Sequence, residues 1–185
     1  MPIIGNISSH GKGSRTIQTI YNIGDTGPGG GIVIYDAGST LSWGRYIEAA
    51  TTATSPSWVD AGYAWCGDTS TAITIRTAIG TGLQNTLDAV ALSATANTAV
   101  TVCNSFTGGG KSNWFLPARY EFAELWTRRT SVGGLTASSY YWTSTQHGTA
   151  NVAGAWYTPL GIYDFDAKTA GDAVRAIRYF TNSSN

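Results

Sequence analysis

The sequence predicts an α+β domain built from short, twisted antiparallel sheets, two or three helices and long irregular loops. Strand-like segments come first, at residues 32–35 and 46–50, and helical signals occur only in the middle, between residues 85 and 126. Strands and turns return between residues 140 and 180. This order of strands, helices and strands is typical of an antiparallel sheet with helices on one side.

The composition indicates one folded domain and excludes several classes of protein. The chain has 185 residues, of which 42% are hydrophobic and 12% are charged, with a formal net charge of zero. This composition argues against disorder, and the lack of a basic excess argues against nucleic-acid binding. No apolar run reaches the ~18 residues of a membrane span. The richness in Gly, Thr, Ser and aromatic residues is common in extracellular and virion proteins.

The first 20 residues are expected to form an N-terminal arm, followed by a single domain at residues 21–185. A polar stretch at residues 8–14 separates two short apolar patches, so the arm either docks on a neighbouring subunit or is a loose terminus. No secretory signal is visible. We therefore expect a protein that has lost its signal, acts where it is made, or leaves the cell by another route, such as assembly into a virus particle.

The first strands follow a glycine-rich entry. Residues 21–31 are rich in turn formers, and the strand at residues 32–35 comes directly after them. The three consecutive glycines at residues 29–31 invite interpretation as a phosphate-binding loop. We reject it because no Lys-Ser/Thr follows and the next element is a strand instead of a helix.

Three helices are predicted in the middle of the chain. Asn85 and Thr86 are expected to cap the first. The second covers residues 97–106, where apolar residues recur at i, i+3 spacing, and the glycines at residues 108–110 end it. The third begins at Pro117, whose fixed φ suits a first helical turn.

The later strands are expected at residues 140–144, 155–158, 161–165 and 174–180, with the first and last strands of the domain side by side.

Four sequence islands occur in a fixed order between residues 21 and 180. They are Gly-Asp-Thr-Gly-Pro-Gly-Gly-Gly-Ile-Val at 24–33, Ile-Gly-Thr-Gly-Leu-Gln-Asn-Thr at 79–86, Asn-Trp-Phe-Leu-Pro at 113–117 with Glu121, and Tyr-Trp-Thr-Ser-Thr at 141–145 followed by Val-Arg-Ala-Ile-Arg at 174–178. Together they resemble the Lcl C-terminal-like (DUF1566) domain family. The resemblance implies a C-type-lectin-like fold related to the scaffold of formylglycine-generating enzymes. Family members occur in bacterial surface proteins, adhesin-like proteins and phage structural proteins.

The chain departs from the family pattern at two positions. Asn113 stands where the family usually has Asp, and Ala118 stands where it usually has Ser. A Ser three residues before Glu121 would complete a capping box, so Ala118 is expected to remove about 1 kcal/mol of local stabilisation. The island side chains are expected to be structural, with the two arginines either solvated or paired with Glu121, Glu124 or Asp25. These structural candidates are Trp114, Pro117, Glu121, Trp142, Arg175 and Arg178.

The sequence gives no catalytic or metal-binding motif that we recognise. His10 and His147 are the only histidines, and no ligand pair has the spacing of a zinc site. Cys66 and Cys103 either form a disulfide or are two buried thiols, and the second interpretation is favoured. They match no motif of the copper-dependent formylglycine-generating enzymes. We therefore expect no enzyme activity and no cofactor.

Two kinds of surface site are considered. Asp164 and Asp166 alternate along a predicted strand, so both side chains lie on one of its faces. They either help to hold a cation or form the solvent face of the strand, with Tyr163 and Phe165 pointing inward; the second interpretation is favoured. The predicted loops at residues 36–45, 54–70, 145–160 and 164–172 carry rigid aromatics among small polar residues, a mixture typical of binding surfaces. The candidate ligand-binding aromatics are Trp58, Tyr63, Trp65, Trp156 and Tyr157. The alternative is that they fill a core poor in Leu and Met.

These observations lead to a functional prediction. We expect a non-enzymatic structural and binding protein of a phage particle, located on the capsid or in the tail. Its arm would dock to other virion proteins, its loops would contact host glycans or surface proteins, and the chain would form a homo-oligomer such as a trimer. The alternative is an adhesin or lectin domain of a bacterial surface. A third class, an enzyme of the formylglycine-generating type, would require reactive thiols at Cys66 and Cys103.

Overall fold

The computed structural model describes residues 3–5, 18–135 and 139–182. Within these residues the strands are β1 (Ile3–Gly5), β2 (Gln18–Ile20), β3 (Ile32–Leu41), β4 (Gly44–Ala49), β5 (Gly62–Tyr63), β6 (Trp114–Phe115), β7 (Tyr140–Gln146), β8 (Val152–Tyr157), β9 (Ile162–Ala167), β10 (Asp172–Ala173) and β11 (Ile177–Phe180). The helices are α1 (Gly82–Leu92), α2 (Ala99–Asn104), α3 (Arg119–Thr127) and α4 (Arg129–Val132), and Gly108–Gly110 form a 3-10 turn. In these residues no helix is long and apolar enough to cross a membrane.

The sheets are antiparallel with one exception, which confirms the predicted α+β class. One sheet has the order β3-β4-β11-β6, and another has the order β5-β10-β7-β8-β9, in which only β10 and β7 are parallel. The prediction that the first and last strands of the domain are neighbours is wrong. The hairpin partner β3 occupies one edge of β4 and β11 occupies the other, so β4 separates them.

The predicted arm contains one described strand pair. Strands β1 and β2 pair with each other in antiparallel register, with Ile3 opposite Ile20. The polar stretch predicted at residues 8–14, including His10, lies outside the described residues.

The first helix begins earlier than predicted. Helix α1 starts at Gly82 with Thr81 as its N-cap residue, so Asn85 and Thr86 lie inside the helix and are buried. Their side chains bind other segments instead of the helix start. The Thr86 hydroxyl accepts a hydrogen bond from the Leu116 N–H at 3.1 Å, and the Asn85 amide donates to the Arg76 carbonyl at 2.9 Å. These long-range partners explain why cap-forming residues occur within a helix.

The third helix retains half of a capping box. Helix α3 begins at Arg119, so Pro117 lies two residues before the helix and is not its first residue. The Glu121 carboxylate accepts a hydrogen bond from the Ala118 N–H at 2.7 Å, which is the half of the box that does not need a hydroxyl. Strand β7 supplies a partner for the next free donor, because the Arg119 N–H donates to the Thr145 hydroxyl at 3.0 Å.

Aromatic side chains from distant segments form the core. One group of buried residues contains four tryptophans, and a second lies between α3 and the two larger sheets. Most of the buried indoles have a hydrogen-bond acceptor; for example, Trp65 donates to the Thr143 carbonyl and Trp142 to the Tyr63 carbonyl, both at 2.7 Å. Such pairing satisfies the polar end of a buried tryptophan. The core therefore joins the two larger sheets through specific contacts as well as through apolar burial.

Candidate functional site

The glycine-rich segment at residues 27–31 surrounds a carboxylate of the chain itself. The Gly29 N–H donates to both oxygens of Glu48, at 2.9 and 3.1 Å, and the Gly31 N–H donates to Oε2 at 3.0 Å. A Cβ atom on Gly27, Gly29 or Gly31 would collide with Glu48 or its strand. Backbone N–H groups that converge in this way form an anion-binding concavity. Here the bound anion is the side chain of Glu48, which agrees with rejecting a phosphate loop.

Arg178 neutralises this buried carboxylate. Its guanidinium forms an ion pair with Glu48, and it also donates to the Asn113 side chain at 3.0 Å. The Glu48 residue is 0% exposed. Burial raises the pKa of Glu48, while Arg178 and the two glycine N–H groups oppose that effect. A buried charge is tolerated only when it is paired and hydrogen-bonded in this way.

A second glycine segment surrounds Glu121. The carboxylate of this fully buried residue accepts hydrogen bonds from the Gly80 N–H at 2.8 Å, the Gly82 N–H at 3.3 Å and the Tyr179 hydroxyl, in addition to Ala118. A Cβ on Gly82 would overlap the carboxylate. Burial raises the pKa of Glu121, and these donors counteract it. The second island therefore joins the start of α1 to α3 and β11.

A third buried carboxylate, that of Asp60, is paired with Arg175. The two side chains form a bidentate ion pair with distances of 2.6 and 2.7 Å. Asp60 also accepts from the Tyr141 hydroxyl at 2.6 Å and from the Trp58 indole at 2.9 Å. Arg175 donates in turn to the carbonyls of Ala50 and Gly133, at 3.0 and 3.1 Å. Such a network fixes a loop to both large sheets.

These geometries correct the predicted arginine partners. Neither arginine pairs with Glu121, Glu124 or Asp25, and neither is solvated; their carboxylates are Asp60 and Glu48. The six structural candidates of the islands nevertheless share one property. The side chains of Trp114, Pro117, Glu121, Trp142, Arg175 and Arg178 are all buried.

The predicted binding aromatics do not form a common surface. Trp58, Trp65 and Trp156 are buried, which is the alternative of core filling. Tyr63 and Tyr157 are half-buried, and the Tyr157 ring lies 4.7 Å from the ring of Tyr140. The burial of these tryptophans depends on partners distant in sequence; for example, Trp58 donates to the Val174 carbonyl and Trp65 to the Thr143 carbonyl.

The aspartates of the predicted cation site bind groups of the chain itself, and the two cysteines are buried. Asp164 accepts a hydrogen bond from the Tyr140 hydroxyl at 3.1 Å, whereas Asp166 binds the neighbouring Ala167 N–H. Phe165, predicted to point inward, is 43% exposed. Within the described ranges no group of three potential metal ligands occurs. Cys66 and Cys103 are free, buried thiols, and burial raises the pKa of both.

An open cleft of about 180 Å³ lies between the end of β7, the start of α3 and strand β9. Its wall combines one cation, three rings and several small polar groups, and it contains no Asp or Glu. The lining residues are Ile75, Thr77, Arg119, Thr145, Gln146, His147, Gly148, Tyr163 and Phe165.

The charged group of the cleft is held by an aromatic ring. The Arg119 guanidinium carbon lies 4.3 Å from the centroid of Tyr163, and no carboxylate of the described residues is within ion-pair distance of it. Phe165 packs edge-on against Tyr163 at 5.1 Å and against His147 at 4.4 Å. The cleft thus presents an oriented cation beside an exposed apolar face.

The sequence prediction missed most of this cleft. Arg119 and Gln146 were not candidates, and Phe165 was assigned to the interior. The available signal was positional: Arg119 begins α3 two residues after Pro117, and Gln146 and His147 directly follow the island at residues 141–145. Residues at the ends of elements often form binding sites because a rigid scaffold positions them.

Comparison with known proteins adds no identification. No protein-family model matches the chain, and no curated protein matches it.

Proposed function

We propose that the chain is a non-enzymatic structural and binding protein of a phage particle, placed on the capsid or in the tail apparatus. It would contact other virion subunits and host-surface glycans or proteins. The resemblance of the four islands to the Lcl C-terminal-like family supports a C-type-lectin-like scaffold and the particle setting, because members of that family occur in phage structural proteins. The low charge and high content of small polar and aromatic residues are consistent with both.

The observation that carries the proposal is the internal use of the buried carboxylates. Glu48, Glu121 and Asp60 each accept several hydrogen bonds from the chain itself. A carboxylate engaged in this way holds loops together and is poorly placed to exchange protons with a substrate. The open cleft beside Arg119, in contrast, offers oriented groups on a rigid support. This combination favours docking over covalent chemistry.

Oligomerisation belongs to the same proposal. Subunits of particles commonly associate with closed symmetry, so a ring such as a trimer is expected. The predicted arm would provide contacts to neighbouring subunits.

The proposal is tested by locating the protein and determining its mass. Purified full-length chain is examined by native mass spectrometry, and purified phage particles are labelled with an antibody against the chain and viewed by electron microscopy. A closed oligomer and label on the capsid or tail would support the proposal. A strict monomer absent from particles would refute it, and label confined to the bacterial surface would support the adhesin alternative instead.

A further inference from the structure

We infer that the cleft beside Arg119 is a binding site for a sugar residue bearing a single carboxylate, such as a sialic or uronic acid at the end of a glycan. The inference rests on the proposed binding function and specifies the site and the ligand class. It uses residues different from the loop aromatics considered in the sequence. Two properties of the cleft carry it: an unneutralised cation and an exposed aromatic face.

Among the arginines of the described ranges, Arg119 and Arg129 have no carboxylate partner, and only Arg119 lines the cleft. Five others in the described ranges form ion pairs with carboxylates, namely Arg45, Arg76, Arg128, Arg175 and Arg178. Arg119 instead lies on the ring of Tyr163, and the cleft wall adds no acidic group. Stacking fixes the plane of a guanidinium while its N–H edge stays available for bidentate contact with a carboxylate. The site therefore favours an anionic ligand.

The charge of the wall also limits which anion fits. Arg119 is the only Lys or Arg of the cleft lining, and the only other titratable base there is His147. One planar guanidinium matches one carboxylate in charge and geometry. A phosphate group carries close to two negative charges, and its binding sites typically supply several donors. The wall thus fits a monoanionic carboxylate better than a phosphate.

The apolar face suits the carbon skeleton of a sugar ring. Phe165 is 43% exposed and Ile75 is 54% exposed, and both border the cleft. The Phe165 ring is held edge-on by Tyr163 and His147, so its position is fixed before a ligand arrives. A pyranose has one face of C–H groups and a rim of hydroxyls. An aromatic face surrounded by polar groups is complementary to that arrangement.

The amide of Gln146 is fixed in the wall of the cleft. The side chain is buried, and the two N–H groups of its Nε2 are shared among the carbonyls of Val152 at 2.8 Å, His147 at 2.9 Å and Thr149 at 3.1 Å. Flipping the amide would point its oxygen at these carbonyls, so its orientation is fixed. Oε1 then has no hydrogen-bond partner among the described residues. Because this oxygen is itself buried, Gln146 supports the wall of the cleft and presents no free acceptor to a ligand.

His147 adds a donor at the same rim. Its Nδ1 accepts a hydrogen bond from the Thr149 N–H at 3.0 Å, which requires the proton of the neutral ring to be on Nε2. The space in the cleft is about 180 Å³, below the roughly 300–1,000 Å³ of sites that enclose a drug-sized ligand. That space is suited to one terminal sugar residue and not to a long peptide segment.

The test measures binding of defined saccharides to the full-length chain. Trisaccharides ending in N-acetylneuraminic acid or glucuronic acid, and lactose as the neutral probe, are titrated by NMR or calorimetry at low salt. We expect at least one acidic probe to bind at least tenfold more tightly than lactose. Arg119→Met should remove that tenfold preference, and Phe165→Ala should weaken binding of the acidic probe. Thermal unfolding of each variant establishes that it is folded.

Arg129→Met is the matched control. Arg129 also stacks on an aromatic ring, with its guanidinium carbon 4.5 Å from the centroid of Trp126, but it lies outside the cleft. This variant should bind as the parent does. The variant Arg119→Lys retains the positive charge but loses the planar pair of N–H donors. Its preference for the acidic probe should therefore lie between that of the parent and that of Arg119→Met. Retained preference in a folded Arg119→Met variant would overturn the inference.

The remaining outcomes separate this inference from the proposed function. Equal binding of acidic and neutral probes, or full competition by inorganic phosphate at the same concentration as the acidic sugar, would overturn the assignment of a carboxylate sugar. Acidic probes that bind with no effect of the cleft variants would overturn the site but support glycan binding elsewhere. If no saccharide binds while the protein is found on particles, the inference fails and the structural part of the proposed function survives.

Discussion

Removing Arg178 should expose the energetic cost of burying Glu48. The variant Arg178→Met retains most of the aliphatic length of the side chain, so lost packing against Trp114 is small. It leaves a fully buried carboxylate with only the Gly29 and Gly31 N–H groups as partners. Breaking a buried ion pair on one side typically costs about 3–5 kcal/mol.

Protonation of Glu48 sets an upper limit to this cost. A buried carboxylate without a partner can lose its charge by taking up a proton. Protonation costs about 1.4 kcal/mol for each unit by which the pH exceeds the ordinary pKa of the group. The ordinary pKa of Glu48 is 4.5, so at pH 7 the limit is roughly 3–4 kcal/mol. For a chain of 185 residues this corresponds to a decrease in Tm of roughly 6–16 °C. The penalty should diminish as the pH is lowered towards 5, because protonation becomes easier.

Arg45→Met is the matched control for this measurement. Arg45 also extends from a strand and forms an ion pair, with Asp36 at 2.8 Å, but both side chains are partly exposed. Exposed pairs contribute about 0–1 kcal/mol. Urea unfolding of both variants at pH 5 and pH 8 gives the comparison. Equal losses, or a loss for Arg178→Met below about 1 kcal/mol at pH 8, would refute the reasoning that the buried pair needs its arginine.

Three further predictions concern other buried groups. Gly82→Ala should lower the free energy of unfolding by about 1–3 kcal/mol because the added Cβ would overlap Glu121. Gly171→Ala, with open space at the added Cβ, should change the free energy of unfolding little. Equal effects of the two variants in chemical denaturation would contradict this prediction. Both thiols should react with a thiol-specific reagent only on unfolding, since Cys66 and Cys103 are buried with raised pKa values; a fast native reaction would be inconsistent with the packing. Burial raises the pKa of Asp172 to about 7, so its folded form binds a proton more tightly than the unfolded form and stability falls as the pH rises from about 4 to 7. Asp172→Asn should therefore match the parent in stability near pH 4 and exceed it at pH 8, and a parallel pH profile for the two proteins would show that Asp172 is not the group responsible.

The local patterns predicted the elements better than their partners. The i, i+3 apolar spacing correctly identified α2, and the short apolar runs correctly identified β3 and β4. These features depend on neighbours in sequence, for which helical and strand periodicity is informative. The α1 cap was misassigned because Thr86 and Asn85 have partners in other segments.

The buried charges could not be paired from sequence. Arg178 and Glu48 are separated by 130 positions, and Arg175 and Asp60 by 115. A signal did exist: Glu48 lies between the apolar residues Ile47 and Ala49 of β4, and a glycine-rich turn is an anion-binding structure even when the anion is a side chain. The sequence also could not predict which aromatic side chains are exposed, because a tryptophan in a polar loop can be buried by any distant segment that packs against it.

The two glycine-rich segments bind internal carboxylates and so brace the domain. Native-state amide hydrogen exchange, followed by NMR, measures this bracing at each glycine. We expect the Gly29, Gly31, Gly80 and Gly82 amides to exchange with free energies close to that of global unfolding, while Gly38, whose N–H donates to the partly exposed Asp36 carboxylate, exchanges readily. Rapid exchange of the first four amides at the rate of Gly38 would contradict the claim.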